Sequence, residues 1–278
     1  MEDTRTKSLV GTASIISKVG VKEPFYTYEL KTVRMTSKAL NIKKVIRYLK
    51  LKIIRNGPTE VGTLFLRPSA RKKNCGRLLA LSRYLFIAQH RRRFADKVIA
   101  ELRGVINSKG KSPFWNAVCK HFFVIEFKKA DLMVMRDKSF IADLIPKHPI
   151  YIPILAKSAQ KVIGCVHKHT VPALKLLQKE GFDYVPEIDI FEAGPTLAAK
   201  AGNIRTVKKS RIMKVAAVID TIEEGKDYLI ANVSSLKAFR VTKDKVILGE
   251  DGVTLRKETA KAIKVAKGQK VRVVKIKG

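Results

Sequence analysis

The sequence predicts a mixed α+β fold that carries a small, barrel-like β-rich part at its C-terminal end. Three observations predict it. Between residues 61 and 192, short apolar runs alternate with stretches whose apolar residues recur at helical spacing. After about residue 204 the chain changes to short β-rich pieces separated by Gly, Asp and Lys turns. Hydrophobic residues make up 46% of the 278-residue chain, enough to build a packed core.

Residues 8–20 are rich in small and β-branched types and read as a strand, followed by a second at 24–30. Residues 38–56 are basic and partly apolar, with no clean period and no assigned element. The run from Val61 to Leu66 is a strand that must stop at Pro68, which has no backbone donor and restricts its predecessor. From Gly76 the residues Leu78, Leu81, Leu85 and Ala88 mark a helix, with the arginines at 91–93 at its far end. Residues 97–102 read as a buried strand, and Ser112-Pro113 opens a helix with a capping serine and proline at the first helical position. Thr170 and Pro172 open another, which Gly181 ends before a strand at 182–192. The pieces at 228–233, 238–242, 245–249 and 270–276 compose the β-rich part. The expected division is 1–203 and 204–278.

A net charge of +33, from 57 Lys and Arg against 24 Asp and Glu, attracts phosphate-bearing partners: nucleic acid, an anionic membrane or a phosphorylated cofactor. The basic residues are spread along the chain without a dedicated tail, and no nucleic-acid module stands among the motifs, which argues against nucleic acid. The first residues lack the apolar stretch of a secretion signal and no later run is long enough to span a bilayer, so the expectation is a cytoplasmic protein without a membrane partner. Cys75, Cys119 and Cys165 are far apart without a C-x-x-C pair, which argues against disulfides and a zinc ribbon. The spacing of Cys165, His167 and His169 would suit a metal on a strand, but Thr170 and Pro172 turn the chain into a helix there, so no metal is expected. Trp115, with Phe114, Phe122 and Phe123, reads as core.

The loop Arg71-Lys72-Lys73-Asn74-Cys75-Gly76 joins a core strand to a helix start. Such a loop points unpaired N–H groups and the positive end of the helix dipole outward, which suits a pyrophosphate, and Gly76 lets backbone approach it closely. This R-x-x-N-x-G pattern resembles the acyl-CoA loop of GNAT-type N-acyltransferases. Its surroundings, TLFLRP and GRLLALSRYLF, resemble the arginine N-succinyltransferase family, as do AELRGVI (100–106), SPFW (112–115), FIADLIPKHPIY (140–151), KEGF (179–182) and FEAGPTL (191–197).

The resemblance implies a GNAT-like α/β/α sandwich and transfer of succinyl from the co-substrate succinyl-CoA to the α-amine of L-arginine, the entry step of arginine catabolism. By resemblance, Leu64 with its strand neighbours Phe65 and Leu66 lines the acyl and pantetheine arm, while Arg71, Lys72, Lys73, Asn74, Cys75, Gly76 and Arg77 hold the diphosphate. The family's proton donor corresponds to His167, whose imidazole exchanges protons near neutral pH; the helix beginning after it favours the neutral ring. Glu101, Asp131, Asp189 and Glu192 are candidates to pair with the arginine guanidinium. Asn74 stands where the family has a glycine, and Asn accepts a left-handed backbone. Met1-Glu2-Asp3 aligns inside the family pattern, so the expectation is an N-terminally truncated core with an exposed sheet edge, covered by a related subunit in a homo- or hetero-oligomer, or a chain of impaired activity. Ornithine as acceptor, a non-enzymatic relative and a basic nucleic-acid-binding protein are the rival readings.

Overall fold

The computed structural model describes residues 1–71, 74–134, 137–233 and 236–276. The chain forms two compact units that are not consecutive segments: one of residues 1–17, 61–96 and 200–278, the other of 18–60 and 97–199.

In the first unit, strand β1 (Gly11–Ile16) lies beside β4 (Thr59–Leu66), whose first two residues belong to the second unit. Helix α1 (Cys75–Gln89) packs on β1 and buries Leu79, Ala80, Leu81, Arg83, Tyr84, Leu85 and Ile87, a wider apolar face than its spacing predicts. Helix α8 (Arg205–Lys209) precedes a closed barrel of five strands, the expected β-rich part: β9 (Arg211–Ile219), β10 (Lys226–Asn232), β11 (Val241–Gly249), β12 (Gly252–Arg256) and β13 (Lys270–Lys275), ordered β10-β11-β12-β9-β13. Val215, Ile230, Val246, Val253, Leu255, Val271 and Val273 fill it, together with Ile263 of helix α9 (Lys257–Ile263). The pieces alternate inward apolar with outward basic residues, so the barrel has a core despite its charge.

In the second unit, β2 (Phe25–Ser37) and β3 (Ile42–Ile54) form a hairpin paired from Phe25↔Ile54 to Ser37↔Ile42. Asn41 takes the left-handed conformation that closes its turn. Strand β3 falls where the sequence shows no period. The outer half of the hairpin is largely exposed on both faces, so alternation of apolar and polar residues is not demanded there. The remaining strands are β5 (Lys97–Glu101), β6 (Ile150–Tyr151), β7 (Asp183–Ile188) and β8 (Pro195–Lys200), ordered β5-β8-β7-β2-β3-β6. The first residues of β4 lie parallel to β5, through Thr59↔Val98 and Glu60↔Ile99.

Short helices α2 (Pro113–Ala117), α3 (Lys120–Phe123), α4 (Phe127–Met133), α5 (Ser139–Leu144) and α6 (Lys157–Gln160) follow β5. Trp115 is fully buried among Phe123, Phe127 and Phe191, with ring centroids 5.4–5.8 Å apart, and Ser112 Oγ caps its helix by accepting from the Trp115 N–H. Helix α7 (Val171–Lys179) starts at Thr170 without a side-chain cap bond and ends before Gly181, whose φ is +91°.

The barrel is pinned by Asp244, whose carboxylate accepts from Arg256 at 2.6 and 2.8 Å and from the Thr259 hydroxyl. Burial pushes this carboxyl up, but the bonds from Arg256, Thr259 and the Lys245 N–H outweigh it and hold it below its usual range. A depressed folded-state value stabilises above the unfolded value and is lost as pH falls through the folded one. Asp244→Ala is expected to lower stability by about 1.5–3 kcal/mol at neutral pH, with the deficit narrowing on acidification; urea titrations of both proteins across pH check this.

Candidate functional site

The donor-side residues of the sequence analysis lie in the first unit. Strand β4 parts from its ladder with β5 after Glu60, and Thr63 then takes a left-handed backbone, φ +44°, which a β-branched residue adopts only under constraint. Part of that constraint is the guanidinium of Arg83, buried on α1. It donates to the Gly62 carbonyl at 3.2 Å and to the Ala80 carbonyl at 3.2 Å. The kink breaks the alternation of the strand, so Thr63, Leu64 and Phe65 are exposed in succession while Leu66 turns inward. Two adjacent apolar side chains at a strand end offer a surface to an acyl chain.

Beyond Pro68, Arg71 folds back and donates from Nε to the Leu66 carbonyl at 3.0 Å. Asn74 precedes the helix with a left-handed backbone, φ +63°. Helical hydrogen bonding begins with the Leu78 N–H on the Asn74 carbonyl, so the amides of Cys75, Gly76 and Arg77 come before the first intrahelical bond. A side chain on Gly76 would meet nothing within 4 Å, and Nε of Arg77 is enclosed without a hydrogen-bond partner. The open space at this helix start and the positive end of the helix dipole can receive a diphosphate. Lys72 and Lys73 lie outside the described residues.

His167 lies in the second unit, half-buried just ahead of α7. Its backbone N–H donates to the Arg103 carbonyl at 2.9 Å, and its Nδ1 accepts from the His169 N–H at 3.2 Å. Partial burial, then the charges of His169, Arg103 and Lys168, hold its ring below the usual histidine value.

Arg103 links His167 to a group of acids. Its guanidinium meets Glu192 at 3.2 Å and Asp131 at 3.8 Å. Glu192 also accepts from the Gly104 N–H at 2.9 Å. The chain can approach itself here because residues 104 and 194 are glycines: a Cβ on Gly104 would stand 2.2 Å from the Glu192 carbonyl oxygen, and one on Gly194 would stand 2.0 Å from that of Leu102. Asp189 holds the turn with Oδ1, accepting from the amides of Phe191 and Glu192 at 2.8 and 2.6 Å. Burial and then the charge of Asp189 push Glu192 up to about 7, against the pull of Arg103 and the Gly104 N–H. Glu101 feels Asp189, Glu60 and Glu187 together.

The four acids proposed singly from the sequence thus share one neighbourhood. Sequence reasoning missed Arg103, Glu60 and Arg83. A glutamate inside the apolar run of β4 is the one signal that could have drawn notice. Among the described residues, no cluster of His, Cys, Asp and Glu could hold a metal ion, and no helix is long and apolar enough to cross a membrane.

The fold is similar to that of a succinyltransferase: the solved structure of arginine/ornithine succinyltransferase subunit AI from Pseudomonas aeruginosa aligns with a TM-score of 0.88 at 32% identity, covering 100% of this chain and 80% of that one. The chain belongs to the arginine N-succinyltransferase family, whose beta-subunit model matches residues 1–206 and whose C-terminal-domain model matches 211–275. It is 41% identical to the arginine N-succinyltransferase of Yersinia pestis (strain Pestoides F), over 99% of this chain and 81% of the relative. It is 40% identical to that of Escherichia coli (strain 55989 / EAEC), over 99% of this chain and 80% of the relative.

Glu192 provides a test of the acid group. An unfolded glutamate titrates near 4.3, so between about 4.3 and about 7 the folded chain binds the extra proton and stability falls as pH rises. Glu192→Gln should flatten this decline; chemical denaturation at about pH 5 and about pH 8 should show a smaller difference for the variant than for the parent.

Proposed function

We propose that the chain is an arginine N-succinyltransferase, transferring succinyl from succinyl-CoA to the α-amine of L-arginine in arginine catabolism. The observation that carries this reading is family membership over nearly the whole chain, joined to an open helix start whose first amides precede the intrahelical bonds. On this reading the fold is GNAT-like, residues 1–203 compose the acyltransferase region and 204–278 the small β-rich part. The relative named as subunit AI supports work in an assembly with a related subunit.

Arg71, Asn74, Cys75, Gly76 and Arg77 bind the diphosphate, with Lys72 and Lys73 adding attraction at longer range. Leu64 and Phe65 receive the acyl and pantetheine arm. The neutral α-amine attacks the thioester carbon, a C–N bond forms, the C–S bond breaks, and the amine proton passes to solvent water, from which His167 regains the proton it donates. Negative charge grows on the thioester oxygen, and a backbone N–H of β4 beyond its ladder with β5 can stabilise it. The departing thiolate takes a proton from His167. Because the ring titrates below its usual value, the donor form is the minor one at neutral pH, and turnover through it falls as pH rises through that value.

Ornithine is a second acceptor, favoured by the name of the Pseudomonas relative, which carries both amino acids. Release of free CoA thiol from succinyl-CoA with either amino acid tests the activity; no release with any amine would refute it. His167→Ala is expected to lower kcat by about 100-fold or more with little change in succinyl-CoA affinity, and full turnover in this variant would remove the assignment. Gly76→Asp, which the open space tolerates, is expected to weaken succinyl-CoA binding by about tenfold or more without a shift in melting temperature, read by calorimetric titration.

A further inference from the structure

The chain carries 24 acidic residues against 57 basic ones, yet Glu60, Glu101, Glu187, Asp189 and Glu192 gather in one part of the second unit. Most of them are already engaged. Lys52 takes Glu187 at 2.8 Å, Arg103 takes Glu192, and Asp189 spends Oδ1 on two loop amides. Asp131 stands at the exposed rim beside Arg103. Glu101 differs. The residue keeps some exposed surface, but its carboxyl is enclosed by protein, and Oε1 is sealed from solvent without a hydrogen-bond partner.

Glu60 is its neighbour by register. Glu60 pairs with Ile99 across parallel strands, and Ile99 and Glu101 alternate onto one face, so both carboxylates project from the same side of the sheet. No ion pair engages either of them among the described residues, and Lys138 acts on both only through its charge. Burial, then Asp189 and Glu60, push the Glu101 carboxyl well above its usual range, since each disfavours its charged form. A cation placed against it would remove that penalty. A guanidinium suits the place, because its planar set of five donors can span two carboxylates.

We propose that Glu101, with Glu60 beside it, receives the cationic side chain of the acceptor amino acid and so sets the preference for a guanidinium over a neutral side chain. The assignment rests on the succinyltransferase reading and names the acceptor-binding residues within it. Glu192 and Asp131 serve instead to fix Arg103.

The test uses the full chain, with L-arginine and L-citrulline as acceptors, the latter replacing the guanidinium by an uncharged urea of like shape. Glu101→Gln should raise the KM for arginine by about tenfold or more, bring arginine close to citrulline, and leave succinyl-CoA binding unchanged. The same variant should lessen the fall in the free protein's melting temperature as pH rises, since a glutamine amide cannot ionise there; a merely structural role moves the KM for arginine and for citrulline alike. Should Glu101→Gln fail to fold, Glu101→Asp, which withdraws the carboxyl by one carbon, should still lower the preference for arginine over citrulline. An unchanged arginine preference in the variant that folds overturns the assignment while the activity reading stands. Absence of thiol release by the parent chain with arginine overturns the activity reading, and this assignment with it.

Discussion

The left-handed turn of Thr63 inside β4 is the constraint on which the proposed acyl-donor side of this protein depends. A strand that continued regularly past Glu60 would alternate its side chains and bury one of each adjacent pair. The twist at Thr63 instead leaves Leu64 and Phe65 exposed together and carries the chain towards Pro68 and the helix start. Such a backbone is costly for threonine. Arg83 helps to hold it, reaching from inside α1 to the Gly62 carbonyl. A buried guanidinium whose partners are the Gly62 and Ala80 carbonyls is costly to desolvate, and burial accordingly lowers its pKa. The cost falls where the strand must be held open.

The second unit treats charge differently. In a chain so rich in lysine and arginine a surface carboxylate readily finds a cation, as Glu126 and Asp227 do. Around the acids near Glu101 the backbone converges through close passages at Gly104 and Gly194. Arg103 pairs with Glu192, and its backbone carbonyl also receives His167. One arginine therefore joins the proposed proton donor to the acid group.

Much of the donor side was legible in the sequence because local rules decide it. Pro68 stops a strand wherever it occurs, Asn74 tolerates the left-handed conformation that ends the loop, and the apolar spacing after Gly76 specifies a helix. The barrel was legible in outline from its turns, although neither its closure nor the small helix α9 was. Strand β3 was not, because Lys43, Lys44, Arg47 and Lys50 interrupt a stretch that is exposed on both faces over much of its length. The acid group could be named residue by residue but not assembled, since Glu101 and Asp189 meet only through strand order. Glu60 and Arg103 drew no notice, one inside an apolar strand and the other just past its end. The kink at Thr63 had no sequence signal at all, for the residue that holds it lies a helix away.

The central claim is that a coenzyme A thioester lies along β4 with its diphosphate on the first turn of α1. A crystal structure of the chain with bound succinyl-CoA tests it most directly. The account predicts the diphosphate against the amides of Cys75, Gly76 and Arg77 and the thioester carbonyl beside Leu64. Density for the nucleotide at another surface, with the start of α1 unoccupied, would contradict it.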